Sequence, residues 1–401
     1  MSLPLPSLLE ADRRCIDAAE LLIDTLEIVP SPAAYRHLLD GIGLARALAR
    51  SADPDPGFER NFARHLEASW TALEKIVQYR FEWPRVPVAT ILDAIAGERA
   101  LPRLEETISA IDQDRVYAYL DLRQRFRAER VQSGIPEARP LLEKMNGEIA
   151  GLFRRWLVAR EGDLPGLDAT VVLGPGDLDR SWYEPARHRV VVGPGEYMVF
   201  DRGGRLVASP VVALQGLAHE LAGHAVQDSL SKDLPDPLRP DHRGRLRFAS
   251  LPVAEGFAHF RALLALPFAN ENRAELGLED RDLELLRWIA EMSFLHNAMP
   301  ACAGANAARA RQEPGFDAAS HLTALTGQIG FGEMIARAAS DPVNRVLYNT
   351  ACFFGFEAVR GAAADLERQG IEDAERVRRL GRGGWALPVY RDAVVGARGK
   401  V

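Results

Sequence analysis

The residues of this 401-residue chain that are best suited to chemistry lie in the segment HELAGH, which runs from His219 to His224. A histidine followed by a glutamate is typical of the zinc motif HExxH, whose two histidines are four residues apart and share one helix face. Here they are five residues apart, which separates them by about 140° on an ideal helix. We therefore predict a π-bulge or local break around Leu221–His224, which would turn both rings toward one ion.

A second segment, PVAEGFAHF, contains Glu255 and His259. Catalytic zinc binds three protein ligands and keeps one position open. The apolar neighbours of Glu255 indicate a buried carboxylate, and a buried carboxylate needs a partner. The sequence therefore predicts a Zn²⁺ site formed by His219, His224 and Glu255. His259 lies one helical turn after Glu255. It could orient Glu255 without binding the metal, or it could replace Glu255 as a ligand.

Glu220 is the expected general base of this site. It follows a predicted ligand, so its carboxylate should lie near the open coordination position. There it could take a proton from metal-activated water and pass it to the leaving amine. These roles predict metal-assisted hydrolysis.

The rest of the sequence predicts the helices and strands that position these residues. Apolar residues recur at helical spacing from residue 7 to about 160, including Ala34–Ala49 and Phe58–Phe81. Short β-branched runs closed by Gly-Pro-Gly follow, and Pro210 then begins the HELAGH helix. We predict a mainly α protein with a small β-sheet just before the zinc-binding helix. An N-terminal helical region (1–160) and a catalytic region (161–401) would form one compact unit with a cleft.

Composition excludes several classes of function. The formal net charge is −7, whereas a nucleic-acid groove needs a basic surface. Three widely separated cysteines, Cys15, Cys302 and Cys352, contain no CxxC pair, which argues against a cysteine zinc site and fits a reducing compartment. The start of the chain lacks a signal-peptide pattern, and no long uncharged apolar run suggests a membrane span. We expect a cytoplasmic protein.

HELAGHAVQ followed by EGFAHF resembles the gluzincin metallopeptidases, and most nearly the bacterial domain-of-unknown-function 885 family. Gly223, His224 and Gln227 match that family's HExxPGHxxQ-like helix. Glu255 and Gly256 match its EGWALY-like segment. The segments at 341–348 and 384–388 are similar to its late helix and its C-terminal GALPL segment. The resemblance covers roughly residues 165–395 and implies a thimet-oligopeptidase-like helical fold with a deep cleft.

This resemblance also implies that Tyr348 faces the metal, where its hydroxyl could stabilise an oxyanion. Arg345, one turn earlier, could bind a substrate carboxylate. The chain departs from the family at three points. HExxGH is one residue shorter than the family motif and equals the dipeptidyl-peptidase III spacing, and Phe257 and Phe260 replace the family's tryptophan and tyrosine.

Tyr390 and His321 are weaker candidates for substrate binding, and the strand region 182–197 could pair with an extended peptide. We therefore expect a zinc peptidase of short peptides. Two alternatives stay open: a zinc hydrolase of a non-peptide amide in a biosynthetic or catabolic pathway, and a non-catalytic helical binding protein with a degenerate site. The sequence does not define the oligomeric state.

Overall fold

Helices dominate the computed structural model of the chain, and a small mixed sheet accompanies them, as the sequence predicts. The structure describes residues 6, 9–13, 32–51, 57–81, 86–110, 114, 135–176, 180–200, 206–240, 249–327 and 342–396. The predicted helix at residues 8–26 lies mostly outside these residues. The mainly α fold class is confirmed.

The described N-terminal helices are consistent with the predicted helical region, and the first two lie close to its predicted apolar stripes. They are α1 (Pro32–Ser51), α2 (Phe58–Phe81), α3 (Val88–Ala96), α4 (Ala100–Ser109) and α5 (Ile135–Glu161). In α2 the apolar residues form one buried face, because Phe62, Leu66 and Leu73 recur at helical spacing and are all buried. Gly97 ends α3 with φ of 91°, a left-handed conformation that glycine adopts without steric cost.

Two small sheets lie between α5 and the HELAGH segment. The strands are β1 (Thr170–Leu173), β2 (Trp182–Glu184), β3 (Arg189–Val192), β4 (Met198–Phe200) and β5 (Leu206–Ala208). In the first sheet β3 is central, parallel to β1 and antiparallel to β2. The strands β4 and β5 form a separate antiparallel pair. Among the described residues β2 pairs with β3 alone, so it is an edge strand.

The remaining described helices start with an unbroken run that carries the HELAGH segment. This run consists of α6 (Val211–Leu217), a π-helix (Ala218–Ala225) and α7 (Val226–Leu230). Further along the chain are α8 (Leu251–Ala262), α9 (Ala265–Glu271), α10 (Arg273–Leu276), α11 (Asp280–Gln312), α12 (Ala318–Thr326), α13 (Pro342–Arg368), α14 (Asp373–Gly381) and α15 (Leu387–Val395). None of the helices within the described residues has the length and hydropathy that a membrane crossing needs.

Buried apolar residues form two clusters, and α13 contributes to both. The first cluster surrounds the π-helix and includes Val359 and Leu366 of α13. The second lies among α3, α4 and α11 and includes Phe353 and Phe354. Helix α8 packs against the π-helix and against α13, so three helices meet at the residues predicted to do chemistry.

Candidate metal centre

The π-helix brings the two histidines of HELAGH to the same place. Its hydrogen bonds join residues five apart, which is the spacing of His219 and His224. The centroids of their rings are 4.9 Å apart. The prediction of a π-type break in this turn is confirmed, although the widened segment spans eight residues instead of a single inserted one.

A buried ion pair holds this turn in place. Arg261 of α8 donates from Nε to the backbone oxygen of Ala222, at 3.2 Å. Its two Nη groups bond both carboxylate oxygens of Glu161, the last residue of α5. Both side chains are almost completely buried. A π-helix is a rare conformation, and these bonds connect one of its carbonyl groups to two neighbouring helices.

Glycines let the three central helices approach closely. A Cβ atom on Gly223 would lie 2.6 Å from the Cα atom of Ala258, so the π-helix and α8 are in backbone contact. A Cβ atom on Gly355 would lie 1.6 Å from the oxygen of Pro252, which excludes any side chain there. Gly256 faces Gly355 in the same way. The fold therefore places α8 unusually close to both partners.

This packing brings the Glu255 carboxylate between the two histidines. Its Oε2 atom lies 3.8 Å from His219 Nε2, and its Oε1 atom lies 3.8 Å from His224 Nε2. Ligands of a tetrahedral zinc ion, bound at about 2.0–2.2 Å, are about 3.4 Å apart. Each contact uses a different oxygen of the carboxylate, so the three predicted ligands would have to reorient to share one ion.

The general-base candidate Glu220 lies on the same side as His219. Its Oε1 atom is 3.9 Å from His219 Nε2, and its carboxylate accepts a hydrogen bond from the backbone N–H of Tyr183 in β2. Burial, the neighbouring Glu255 carboxylate and Glu196 raise the pKa of Glu220 well above its usual value. Burial likewise raises the pKa of Glu255 to about 7.

Two further side chains, both on α13, surround Glu255. The hydroxyl of Tyr348 is hydrogen bonded to the Glu255 carboxylate, and its side chain is 45% exposed. The buried thiol of Cys352 lies 4.0 Å from Glu255 Oε2. The neighbouring Glu255 carboxylate, then the Cys352 sulfur and burial, raise the pKa of Tyr348 well above its usual value, so the hydroxyl keeps its proton.

His259 completes the cluster from α8. Its ring centroid lies 4.6 Å from that of His219, whereas the ring centroid of His224 lies 4.9 Å from it. Its Nε2 atom faces the side-chain nitrogen of Asn297 at 3.5 Å. Burial lowers the pKa of His259 to about 4, so the imidazole is neutral at neutral pH.

The other predicted substrate-binding residues have different surroundings. Tyr390 is completely buried and donates its hydroxyl proton to the backbone oxygen of Leu380. His321 pairs with Glu105 of α4 at 3.0 Å. Arg345 lies in α13, but its side chain is outside the described residues.

The donor atoms form two overlapping groups within the described residues. Each group fits within 4.8 Å: one contains His219, Glu220 and His224, and the other contains His219, Glu255 and His259. Glu220 and Glu255 are both buried beside these imidazoles, and a divalent cation would offset the cost of burying them in their charged form. Nitrogen and oxygen donors at this spacing fit zinc.

Some residues of this centre were not predicted. Arg261, Glu161 and Cys352 support the predicted ligands, yet they belong to no sequence motif. The apolar surroundings of Arg261 within α8 were the one available signal, because a buried arginine requires an acidic partner.

No protein-family model matches the sequence, and no curated protein is significantly similar to it. A solved structure described as a "putative lipoprotein" from Colwellia psychrerythraea is similar at 14% identity, with a TM-score of 0.42. The match covers 96% of this chain and 74% of that one.

Proposed function

We propose that the chain is a zinc-dependent hydrolase of the gluzincin type that cleaves short peptides. The observation that carries this proposal is the position of the Glu255 carboxylate, 3.8 Å from Nε2 of both His219 and His224, with Glu220 beside them. These are the donors and the base that metal-assisted hydrolysis needs. When bound, zinc would lower the pKa of water toward about 7 and polarise a carbonyl group.

Glu220 would act as the base in this reaction. The Tyr183 N–H group orients its carboxylate, and its raised pKa suits a group that first accepts and then donates a proton. It would take a proton from the attacking water and deliver it to the leaving nitrogen. Glu255 is held by Tyr348 and Cys352, so it is better suited to a ligand role than to proton transfer.

Tyr348 would donate a hydrogen bond to the oxyanion that forms on the attacked carbonyl. Its partial exposure and its position beside Glu255 support this role. In the substrate complex its hydroxyl would turn from Glu255 to the substrate oxygen.

The edge strand β2 supports a peptide as substrate. The N–H group of Tyr183 is hydrogen bonded to the Glu220 carboxylate, so the edge strand β2 borders the proposed base. An extended peptide that pairs with this edge would lie across Glu220. This location favours peptides over small non-peptide amides, because only a peptide has an extended main chain that can pair with a strand.

The decisive experiment compares two glutamine variants in zinc content and in hydrolysis of a panel of peptides and small amides. Glu220→Gln should keep one zinc per chain and lose roughly 10²–10⁴-fold in kcat, because it cannot accept a proton. Glu255→Gln should lose zinc, because a ligand is removed. The exposed Glu313→Gln is a matched control that should change neither property.

Three outcomes would contradict the proposal in different ways. If Glu220→Gln empties the site and Glu255→Gln does not, the two roles are reversed. If the zinc-loaded wild type cleaves amides but not peptides, the substrate class is wrong. If it cleaves neither, or if it binds no zinc, the protein is not a zinc hydrolase.

A further inference from the structure

His259 is the one imidazole of the cluster for which hydrolysis gives no role. It follows Glu255 by four residues in α8, so the two side chains share a helix face. Its ring packs on that of His219 with centroids 4.6 Å apart and an angle of 67° between the planes. A histidine that served only to fill space would not need its donor atom near a carboxylate and a second imidazole.

Donor-atom distances point to a common ion. One ligand atom from each of His219, Glu255 and His259 fits within 4.8 Å, the same limit that the group with His224 meets. Zinc would draw such atoms to about 3.4 Å, a contraction of at most about 1.4 Å. The two groups share His219, whose Nε2 atom lies 3.9 Å from Glu220 Oε1 and 3.8 Å from Glu255 Oε2. They therefore describe two sides of a single centre instead of two separate centres.

Asn297 of α11 offers the contact that a metal-bound histidine needs on its other side. Such a histidine usually donates its second ring N–H to an oxygen atom. The Asn297 amide faces His259 Nε2 at 3.5 Å, and a half-turn of the amide exchanges its nitrogen for its oxygen. With that oxygen as acceptor, the ring nitrogen facing away from Asn297 is free to bind a metal.

From this geometry we infer that His259 is a metal ligand, so that the centre has three imidazoles and one carboxylate. This inference rests on the proposed function, because it concerns the same ion. Four protein ligands, with one position open to substrate or water, make the ion five-coordinate. A third imidazole also favours Cu²⁺, Ni²⁺ and Zn²⁺ over Mn²⁺, because nitrogen donors suit the later metals.

X-ray absorption of the full-length zinc protein tests this assignment by counting the imidazoles on the metal. We expect three in the wild type and two in both His259→Leu and His259→Gln. The leucine removes the donor, while the glutamine keeps a polar group for Asn297. Zinc affinity, measured by competition with a chelator, should fall about 100-fold or more, beyond the 10–100-fold that loss of a supporting residue typically costs. His321→Leu, a histidine paired with Glu105, should leave both readings unchanged.

Cobalt substitution gives an independent reading. Five-coordinate Co²⁺ absorbs visible light weakly, and loss of a ligand to give a four-coordinate ion strengthens that absorption. His259→Leu should therefore intensify the cobalt spectrum. If the wild type binds zinc through two imidazoles, and His259→Leu changes neither count nor spectrum, the inference fails while the proposed function stands. If the wild type binds no metal, both fail together.

Discussion

Two regions of the molecule are packed in opposite ways, although α13 belongs to both. The site core consists of the π-helix, α8 and the α13 residues against α8, and it buries charged side chains among glycine contacts. The helical core consists of α3, α4, α11 and the α13 residues Phe353 and Phe354, and it is made almost entirely of apolar side chains. One helix thus joins a polar, close-packed region to an ordinary apolar one.

The difference shows what the proposed metal centre would require of a helical fold. In the helical core, side chains such as Ile91 and Leu104 belong to one buried apolar cluster, where other apolar side chains of similar volume could replace them. In the site core, helix backbones touch at Gly223 and Gly355, so few alternatives exist. Burying Glu220 and Glu255 also costs free energy, which hydrogen bonds and the proposed cation must offset. Precision in the site core therefore depends on contacts that the helical core does not need.

The largest effect on stability is expected from breaking the ion pair behind the π-helix. Arg261→Met leaves the Glu161 carboxylate buried and unpaired and removes the hydrogen bond to Ala222, so unfolding should become about 3–5 kcal/mol easier. Zinc affinity should fall with it, because the turn that aligns the histidines loses its support. Denaturant unfolding and chelator competition measure the two effects.

The exposed pair of Arg64 and Asp392 supplies the control for that variant. Arg64→Met should change stability by about 1 kcal/mol or less, because solvent screens an exposed pair. Adding Glu161→Gln to Arg261→Met should recover part of the loss. If Arg261→Met unfolds more easily but binds zinc as the wild type does, the pair stabilises the fold without shaping the metal site.

A somewhat smaller effect is expected from pH on the metal-free protein. Burial raises the pKa of Glu255 from 4.5 to about 7, so the native chain holds a proton between these values that the unfolded chain has lost. The free energy of unfolding should therefore decrease as pH rises through this window, by about 3 kcal/mol from Glu255 alone. Urea unfolding of chelator-treated protein from pH 4.5 to 8 measures it.

Glu255→Gln should remove that contribution, because an amide does not titrate in this range. The raised pKa of Glu220 acts in the same direction, so the cleanest comparison uses Glu220→Gln as the parent of both proteins. Zinc should reverse the trend in the parent, since a ligand carboxylate must be deprotonated and metal binding then releases protons. Equal pH dependence with Glu and Gln at position 255 would contradict the assignment.

Two glycines of α13 provide a comparison within one helix. Gly355→Ala should cost about 1–3 kcal/mol or more, because its Cβ atom would overlap the backbone of α8 at Pro252. Gly361→Ala meets no atom within 4 Å and should stabilise the helix by about 0.5–1 kcal/mol. Thermal unfolding of both variants tests the signs. Two stabilising substitutions would mean that α8 and α13 can separate without loss.

Local patterns predicted much of this structure because they reflect local physics. The five-residue spacing in HELAGH predicted the π-type turn, since backbone geometry fixes where each side chain of a helix points. Apolar periodicity likewise predicted α1 and α2, and β-branched runs predicted β1, β3 and β4. In each case the residues that determine the structure are neighbours in the chain.

Contacts between distant segments were not predictable in this way. Arg261 and Glu161 are 100 residues apart, and the sequence around each residue does not identify the other as its partner. The same holds for Gly355 against Pro252 and for Cys352 against Glu255, which are 97 residues apart. The supporting half of the site core depends on tertiary packing, whereas the predicted ligands depend on helix periodicity.

The smallest effect tests whether the two cores are separable. Ile95 of α3 is fully buried in the helical core, and Ile95→Val removes one methylene group there. Such a deletion typically costs about 0.5–1.5 kcal/mol, through lost burial and a small cavity. Apolar packing can relax around the gap, so α13 should keep its place against α8 and the His219–Glu255 spacing should not change. We therefore expect lower stability in denaturant with zinc affinity and kcat equal to those of the wild type. A parallel loss of zinc affinity would show that a small displacement in the helical core reaches the metal ligands through α13, and that the two regions act as one mechanical unit.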